Sequence, residues 1–368
     1  MKKVFFLSVI LILFLGCVPV VSKAEGPAAV SARSYIVTDD FGKEVFSKNA
    51  DDRMAPASTA KLLTALVAAE NCRMDSKITV TAKHTATEGS MMYLSVGETL
   101  SLEDLLYGLL LESGNDAALA VADMVSGNTE DFVKLMNTKA AELGMDSSRF
   151  SNPSGLPDEN CYTTARDMAR LMTAFSENEK LMEISGTREE VLDKRTVVNH
   201  NRLLSTVSGV DGGKTGFTKA AGRCLVTTAE RNGRRFYVVT LNAPDDWKDH
   251  EALYSAAFGR LSKTELGGFL PVSQEIVGGR AGRVRVECSE IPCLWLEPGE
   301  AEQLYSVTYM RRFEYAGVEV GRPCGRTDIF FGEKLVYSVS LRYAESVAGA
   351  HKSEKQIANM LTAKEYSF

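Results

Sequence analysis

The sequence predicts an α+β fold followed by a smaller all-β unit, and three observations carry that prediction. A strand-like run near the start, RSYIVTD over 33–39, is followed by several helical segments before the next strands. Those strands, GRCLVTTAE and RRFYVVTLN, are adjacent and meet across Arg231-Asn232-Gly233, which reads as a hairpin. This order argues for an antiparallel sheet flanked by helices rather than a doubly wound parallel sheet. Beyond TELGGFLPV (264–272), helical periodicity gives way to short β-rich runs with turn signals. At 368 residues the chain has room for both units.

The first 24 residues read as an export leader. Lys2 and Lys3 form the positive start, and Val4 to Val21 form an apolar stretch broken only by Ser8, Gly16, Cys17 and Pro19. Ser22-Lys23-Ala24 then places small residues where a signal peptidase cuts. An uncleaved anchor and lipid attachment at Cys17 are the alternative readings of the same stretch. The division expected from sequence is a leader over 1–24, an α+β unit over 25–265, a β-rich unit over 266–349 and a polar, helix-compatible tail over 350–368.

The chain carries 42 basic and 48 acidic residues, a formal charge of −6, and removal of the leader lysines takes it to −9, 39 basic against 48 acidic. An acidic chain without a basic tract argues against nucleic acid as a partner. Four histidines, none spaced as metal ligands, and seven cysteines without a C-x-x-C pair leave no zinc site in the sequence, and no cofactor is expected. Cys288 and Cys293 are the nearest pair if the exported chain forms disulfides, and buried free thiols are the simpler reading.

The helices follow from local signals. MAPASTAKLLTALVAAE (54–70) starts at Pro56 and runs on through leucines and small residues without a breaker. SLEDLLYGLLLES (101–113) opens with a capping box, Ser101 to Asp104. TEDFVKLMNTKAAELG (129–144) ends on glycine, and ARDMARLMTAF (165–175) is amphipathic. A further helix is expected around 249–260, closing the unit. In the β-rich region GRVRVEC, LYSVTYMRRFEY and KLVYSVSLRYAE each read as a strand run.

Lys61 stands out in the first of these helices. At three- and four-residue spacing it neighbours Ala57, Ser58, Thr64 and Ala65, while Leu62, Leu63, Leu66 and Val67 point elsewhere. A lysine on a buried stripe must be paired or must shed its proton, because an unpaired buried ammonium is costly. A helix-edge lysine reaching water is the plain alternative. If the pKa falls from about 10.4 towards roughly 7–8, the amine can take the proton of Ser58, one turn away, and make it a nucleophile. Two more short motifs follow. Ser113-Gly114-Asn115 offers a hydroxyl to relay a proton and an amide to hold a carbonyl, or else a helix C-cap with Gly114 left-handed. Lys214-Thr215-Gly216, in GVDGGKTGFTKAAG, reads either as a glycine-rich turn or as an edge strand presenting Lys214 and Thr215 to an anionic group, with Gly216 allowing close approach.

Taken together and in this order, S-x-x-K, S-x-N and K-T-G resemble the penicillin-interacting serine acyltransferases. GETLSLEDLLYGLLLESGNDAA, NPSGLPDENCYTTARDMARL and VDGGKTGFTKAAG resemble one branch, the D-alanyl-D-alanine carboxypeptidases, or low-molecular-mass penicillin-binding proteins. NAPDDWKDH looks similar to the sporulation-associated members of gram-positive bacteria. The resemblance implies a β-lactamase/transpeptidase-like domain with a helical lobe, acting outside the cytoplasm on peptidoglycan stem peptides that end in D-Ala-D-Ala, with β-lactams as inhibitors. It implies Ser58 as nucleophile, Lys61 as base, Ser113 as proton relay and Asn115 as holder of the substrate amide. Lys214 would add positive potential, Thr215 would bind the terminal carboxylate, and backbone N–H groups of Ser58 and Phe217 would form the oxyanion hole. Relatives have histidine where this chain has Phe217, and only its backbone is needed. Relatives also often carry an arginine after the second hairpin strand to help hold the carboxylate; Trp247-Lys248 stands in that region, with Lys248 a doubtful substitute. They commonly end in a membrane-binding amphipathic helix, and the short, mixed-charge tail here is a weak version of one.

The rivals are a β-lactamase and a non-catalytic wall sensor. A β-lactamase of class A needs a glutamate in an E-x-x-L-N loop, and Glu189-Glu-Val-Leu-Asp193 reads instead as a solvated charged stretch. A sensor is expected to have lost Ser58 or Lys61, and both are present. A G-x-S-x-G elbow is missing, so a Ser-His-Asp hydrolase is disfavoured.

Overall fold

The computed structural model describes residues 26–349 apart from residue 28; the expected leader, Cys17 and the 350–368 tail lie outside the described residues. The central sheet has five antiparallel strands in the order Glu44–Lys48, Ser34–Asp39, Arg234–Leu241, Gly222–Arg231 and Val210–Thr218. The early strand pairs with the second hairpin strand, so the helical segments between them are one long excursion from a single sheet. This is the α+β arrangement that the order of elements predicts.

The central strands are apolar on both faces because both faces are covered. On one side Ile36, Val226 and Val239 pack against the helical lobe. On the other, Val37, Leu225 and Val238 pack against the Asp246–Gly259 helix through Leu253, Tyr254 and Ala257. Strand alternation thus separates two cores. The hairpin turn is Asn232-Gly233, with φ of 55° and 73°, the pair of positive values that a two-residue type I′ turn requires.

Within the lobe the Lys61–Asn71 helix is buried over its first eight residues. It packs among Leu102–Leu110, Asn115–Ser126 and Thr129–Glu142. The capping box forms as expected: Ser101 Oγ accepts from Asp104 N (3.1 Å) and Asp104 Oδ2 accepts from Ser101 N (3.0 Å). Two expectations shift. The 54–70 helix begins as a 3₁₀ turn over Ala57–Ala60, and α geometry starts only at Lys61. The 101–113 helix stops at Leu110, and the left-handed residue beyond it is Ser113, at φ 61°, not Gly114, at φ −58°. Glycine is needed at 114 for space, since a Cβ there would sit 2.8 Å from Asp116 Oδ1.

From Ser262 to Tyr343 the chain forms strands and short 3₁₀ turns. Six strands make one sheet, in the order Leu304–Met310, Pro323–Phe331, Lys334–Tyr343, Arg283–Glu287, Ser273–Val277 and Phe313–Tyr315. LYSVTYMRRFEY is therefore not one strand. It breaks at the exposed Arg311-Arg312, and its two halves lie at opposite edges of the sheet. The β-rich part is tied to the central sheet through Arg234, only 2 % exposed, which meets Asp39 at 3.3 Å, Asp40 at 3.1 Å and Glu300 at 2.7 Å. Its Nη1 also donates to the Trp295 carbonyl. Burial raises Asp39 to about 6, although the backbone N–H groups of Lys43 and Phe41 and the Arg234 charge oppose the rise. The six described cysteines are all unpaired, Cys161 and Cys224 being buried. No helix among the described residues is long and apolar enough to cross a membrane.

Candidate active site

The Ala57–Ala60 turn carries Ser58 to the mouth of a cleft of about 300 Å³ and leads directly into the helix that Lys61 begins. Ala57 has φ 48°, a strained value for a residue with a side chain, immediately before the serine. Lys61 itself is fully buried. Its Nζ stands 3.1 Å from Ser58 Oγ, 2.8 Å from Asn115 Oδ1 and 2.6 Å from the Ser154 carbonyl oxygen. A neutral amine has two N–H groups and one lone pair. Two partners here are pure acceptors, and the third is a hydroxyl that can donate. The neutral amine therefore fits with its lone pair facing Ser58. Burial pulls the Lys61 pKa well below the ordinary lysine range, the Lys214 charge lowers it further, and Asp116 opposes both. The plain alternative of a lysine reaching water is not what the chain adopts.

Asn115 opens the Asn115–Ser126 helix and is 4 % exposed. Its Oδ1 accepts from Lys61 and its Nδ2 donates to the Glu88 carbonyl at 2.6 Å, so both ends of the amide hold the site together. That differs from a side chain free on the cleft wall. Ser113 does line the cleft, presented by its left-handed backbone. Asp116 is buried as well and accepts from the backbone of Met92 and Leu94, each at 3.0 Å, which anchors the loop beside the cleft.

Lys214, Thr215, Gly216 and Phe217 lie on Val210–Thr218, the edge strand, as the second of the two sequence readings expects. Lys214 is 1 % exposed, and its Nζ lies 3.1 Å from the Thr215 carbonyl and 3.5 Å from Thr215 Oγ1. Burial lowers it to about 7, with Glu112 pulling the other way. Thr215, Gly216 and Phe217 line the cleft, the Phe217 ring being exposed. A Cβ on Gly216 would meet Ser58 N at 3.0 Å, so only glycine lets this strand run so close to the nucleophile's backbone.

All eight expected residues thus converge from three distant segments. Sequence reasoning missed the rest of the cleft: Ser90, His200, Arg223, Asp246 and the Trp247 wall. His200 pairs with Glu112 (3.2 Å) and Arg223 with Asp246 (2.8 Å). Lys248, the doubtful substitute for an arginine, is exposed and does not line the cleft. The Asp246–Gly259 helix turns Asp246 inward and Lys248 outward. Glu189–Leu192 forms a strand paired with Arg195–Val198, outside the cleft, so Glu189 is not placed to activate water there. A larger, shallower groove of about 970 Å³ follows the Thr129–Glu142 helix and contains none of these groups.

The profile of the D-alanyl-D-alanine carboxypeptidases matches residues 21–245, well over half of the chain and every residue of the three motifs. The chain belongs to that family. Among its relatives are the D-alanyl-D-alanine carboxypeptidases DacF of Bacillus subtilis, 36 % identical over 232 residues, and DacC of Escherichia coli, 36 % identical over 236 residues. Each match covers 60 % of this chain, and the chain spans about three fifths of the length of these relatives (60 % and 59 %). The fold is similar to penicillin binding protein 5 from Haemophilus influenzae, with a TM-score of 0.63 at 25 % identity over 88 % of this chain and 99 % of that one. It is similar also to the carboxypeptidase DacD from Francisella tularensis, with a TM-score of 0.61 at 27 % identity over 87 % and 94 %. These two likenesses extend through the β-rich end.

Proposed function

We propose that this protein is a serine D-Ala-D-Ala carboxypeptidase that trims peptidoglycan stem peptides and is acylated by β-lactams. The observation that carries the reading is the buried, neutral-prone Lys61 amine 3.1 Å from Ser58 Oγ. Ser58 Oγ attacks the carbonyl carbon of the penultimate D-alanine while its proton passes to Lys61 Nζ. The oxyanion forms against the backbone N–H groups of Ser58 and Phe217, each such donor being worth roughly 3–4 kcal/mol in other enzymes. Collapse breaks the C–N bond, and the proton held by Lys61 passes through the Ser113 hydroxyl to the departing D-alanine amine, leaving Lys61 neutral and Ser113 a hydroxyl again. Water then attacks the Ser58 ester while Lys61 takes its proton and passes it to the departing Ser58 Oγ, which frees the shortened peptide as a carboxylic acid and restores the enzyme. Asn115 holds Lys61 in place, and Lys214 and Thr215 face the terminal carboxylate.

The reading includes export of the chain through the 1–24 leader and action at the extracytoplasmic face of the membrane or in the wall, with peripheral membrane association as an option that does not depend on the 350–368 tail. It assigns catalysis to residues 25–265 and a spacer or partner role to the β-rich 266–349. Nucleic acid has no part in it. The deciding experiment measures D-alanine released from diacetyl-Lys-D-Ala-D-Ala by the purified protein and by Ser58→Ala. Release by the native protein alone supports the reading. Release by both removes Ser58 from the mechanism. Labelled penicillin on Ser58 without release from any peptide makes the protein a sensor, and rapid turnover of the penicillin itself makes it a β-lactamase.

A further inference from the structure

Leu304–Met310 is a terminal strand of the six-stranded β-rich sheet, bonded to Pro323–Phe331 on one side and to no strand on the other. From Tyr305 to Met310 its backbone makes no hydrogen bond outside that ladder among the described residues. Such an edge is a template for a further strand, and proteins usually blunt it with charge, proline or a bulge. This strand has none of the three, and its register runs unbroken from Leu304 to Met310. The Glu44–Lys48 edge of the central sheet, by contrast, carries Glu44, Lys48 and a register shift. The open edge also turns apolar groups to water: Tyr305, Val307 and Tyr309 alternate onto one face and are 47, 38 and 52 % exposed. Tyr305 stacks on Phe330 at 5.2 Å, and Tyr309 lies 4.7 Å from the Arg326 guanidinium, so both rings are held in place. The opposite face is already engaged, with Ser306 Oγ donating to the Phe269 carbonyl at 3.0 Å and Thr308 Oγ1 2.8 Å from Thr327 Oγ1.

Two features select what covers this edge. Tyr305-Ser306-Val307-Thr308-Tyr309 shows the same side-chain order in either direction: aromatic, hydroxyl, valine, hydroxyl, aromatic. Its ends carry opposite charges, since exposed Glu302 precedes the strand and exposed Arg312 follows it, neither with an ion pair among the described residues. Laid antiparallel on its own copy, the strand sets Val307 against Val307, Tyr305 against Tyr309, and Glu302 beside Arg312 at both ends. We propose that the β-rich unit pairs with a second copy of this chain through its Leu304–Met310 edge, about a two-fold axis at Val307, so that two six-stranded sheets join into one. Main-chain hydrogen bonds and the cross-strand aromatic pairs hold the pair together, and the self-matched geometry closes at two copies. This goes beyond the catalytic reading and does not depend on it. One strand is a small interface, so the dimer is reversible, with a Kd on the order of 1–100 μM.

Sedimentation velocity of the purified protein from about 0.5 to about 200 μM tests this, and the native chain should pass from one copy to two across that range. Val307→Lys sets a charge against its own copy on the axis but occupies an exposed position in the single chain, so it should weaken the dimer at least about 30-fold. Glu302→Arg and Arg312→Glu each bring like charges together at both ends and should each raise Kd by roughly 5- to 30-fold. The double variant restores opposite charges and should return Kd to within about threefold of native. Melting curves and labelled-penicillin acylation of Ser58 check that each variant is folded, since none of these residues lines the cleft. A native protein that stays single throughout the range overturns the proposal, as does a dimer that folded Val307→Lys leaves intact. A double variant no tighter than the two single ones also overturns it, because the charges would then not meet across the paired strands.

Discussion

Gly155 packs against the backbone carbonyl of Ala57, the residue that precedes the serine. Gly155 has φ 77°, and a Cβ there would overlap both atoms of that carbonyl. Its neighbour Ser154 supplies the carbonyl oxygen that Lys61 binds at 2.6 Å. Asn152 ties the loop by accepting from the backbone N–H groups of Ser154, Gly155 and Leu156. One loop therefore sets the position of both nucleophile and base. Gly155→Ala should slow acylation of Ser58 by about 100-fold, the scale of a 1 Å misplacement, with a loss of roughly 1–3 kcal/mol in stability. Gly144→Ala is the control. It also has a positive φ, 69°, but nothing lies within 4 Å of the added methyl, so it should lower stability alone. Labelled-penicillin kinetics beside urea unfolding separate the two effects, and equal acylation by both variants would refute the assignment.

Lys61 can act as a base or merely as a positive charge, and two substitutions distinguish these. Lys61→Arg keeps a cation but cannot give up its proton near neutral pH. Lys61→Met keeps the length and removes the amine. If the amine is the base, both should acylate Ser58 about 10²- to 10⁴-fold more slowly, the range for general-base catalysis. A Lys61→Arg protein within tenfold of native would mean that charge alone suffices.

Lys214 sets a pH dependence whose sign follows from its environment. Burial lowers its pKa to about 7, so it is cationic below that pH and neutral above it. Attraction for an anionic peptide end is therefore present on the acid side and fades as pH rises through 7. KM for the free-acid peptide should rise between pH 6 and pH 9 by roughly three- to tenfold. Lys214→Arg, which stays charged, should flatten that profile. A flat profile in the native protein would show that Lys214 does not feel the carboxylate.

Much of the site was readable in the sequence, and what escaped has identifiable causes. Ser58 and Lys61 are three residues apart at a helix start, so their contact follows from helical spacing. Their meeting with Asn115 and Lys214, by contrast, followed only from the family resemblance. The Ser154 carbonyl was invisible because a backbone acceptor leaves no mark on residue type. Arg223 was missed because its approach depends on the register that sets it opposite Phe217. Lys248, doubtful from the sequence as a stand-in for an arginine, faces away from the cleft because one residue of offset at a helix start decides which side faces it. The split of LYSVTYMRRFEY is a tertiary effect, since both halves have strand-like composition and only their partners differ.

His250 ties the core behind the sheet to acid stability. It is fully buried on the Asp246–Gly259 helix, with Nδ1 2.8 Å from Thr227 Oγ1 and Nε2 3.0 Å from Thr240 Oγ1. Burial lowers its pKa from 6.5 to about 3, so the folded protein keeps the ring neutral where the unfolded chain protonates it. Above pH 6.5 neither state is charged and the residue contributes no pH dependence. As pH falls from 6.5 towards 3 the unfolded state binds the extra proton, and stability drops by about 1.4 kcal/mol per unit. At pH 5 that amounts to roughly 2 kcal/mol. Asp39, raised to about 6, acts in the opposite sense, since its folded form holds a proton that the unfolded form releases. That contribution is common to the native protein and a His250 variant and cancels in their difference. His250→Gln, which retains an amide donor and acceptor, should be less stable at pH 7.5 by roughly 1–3 kcal/mol. Its further loss between pH 7.5 and pH 5 should then be smaller than the native one by about 2 kcal/mol, as read by urea unfolding at both pH values. Parallel losses in the two proteins would mean that the ring is protonated, or solvated, in the folded state after all.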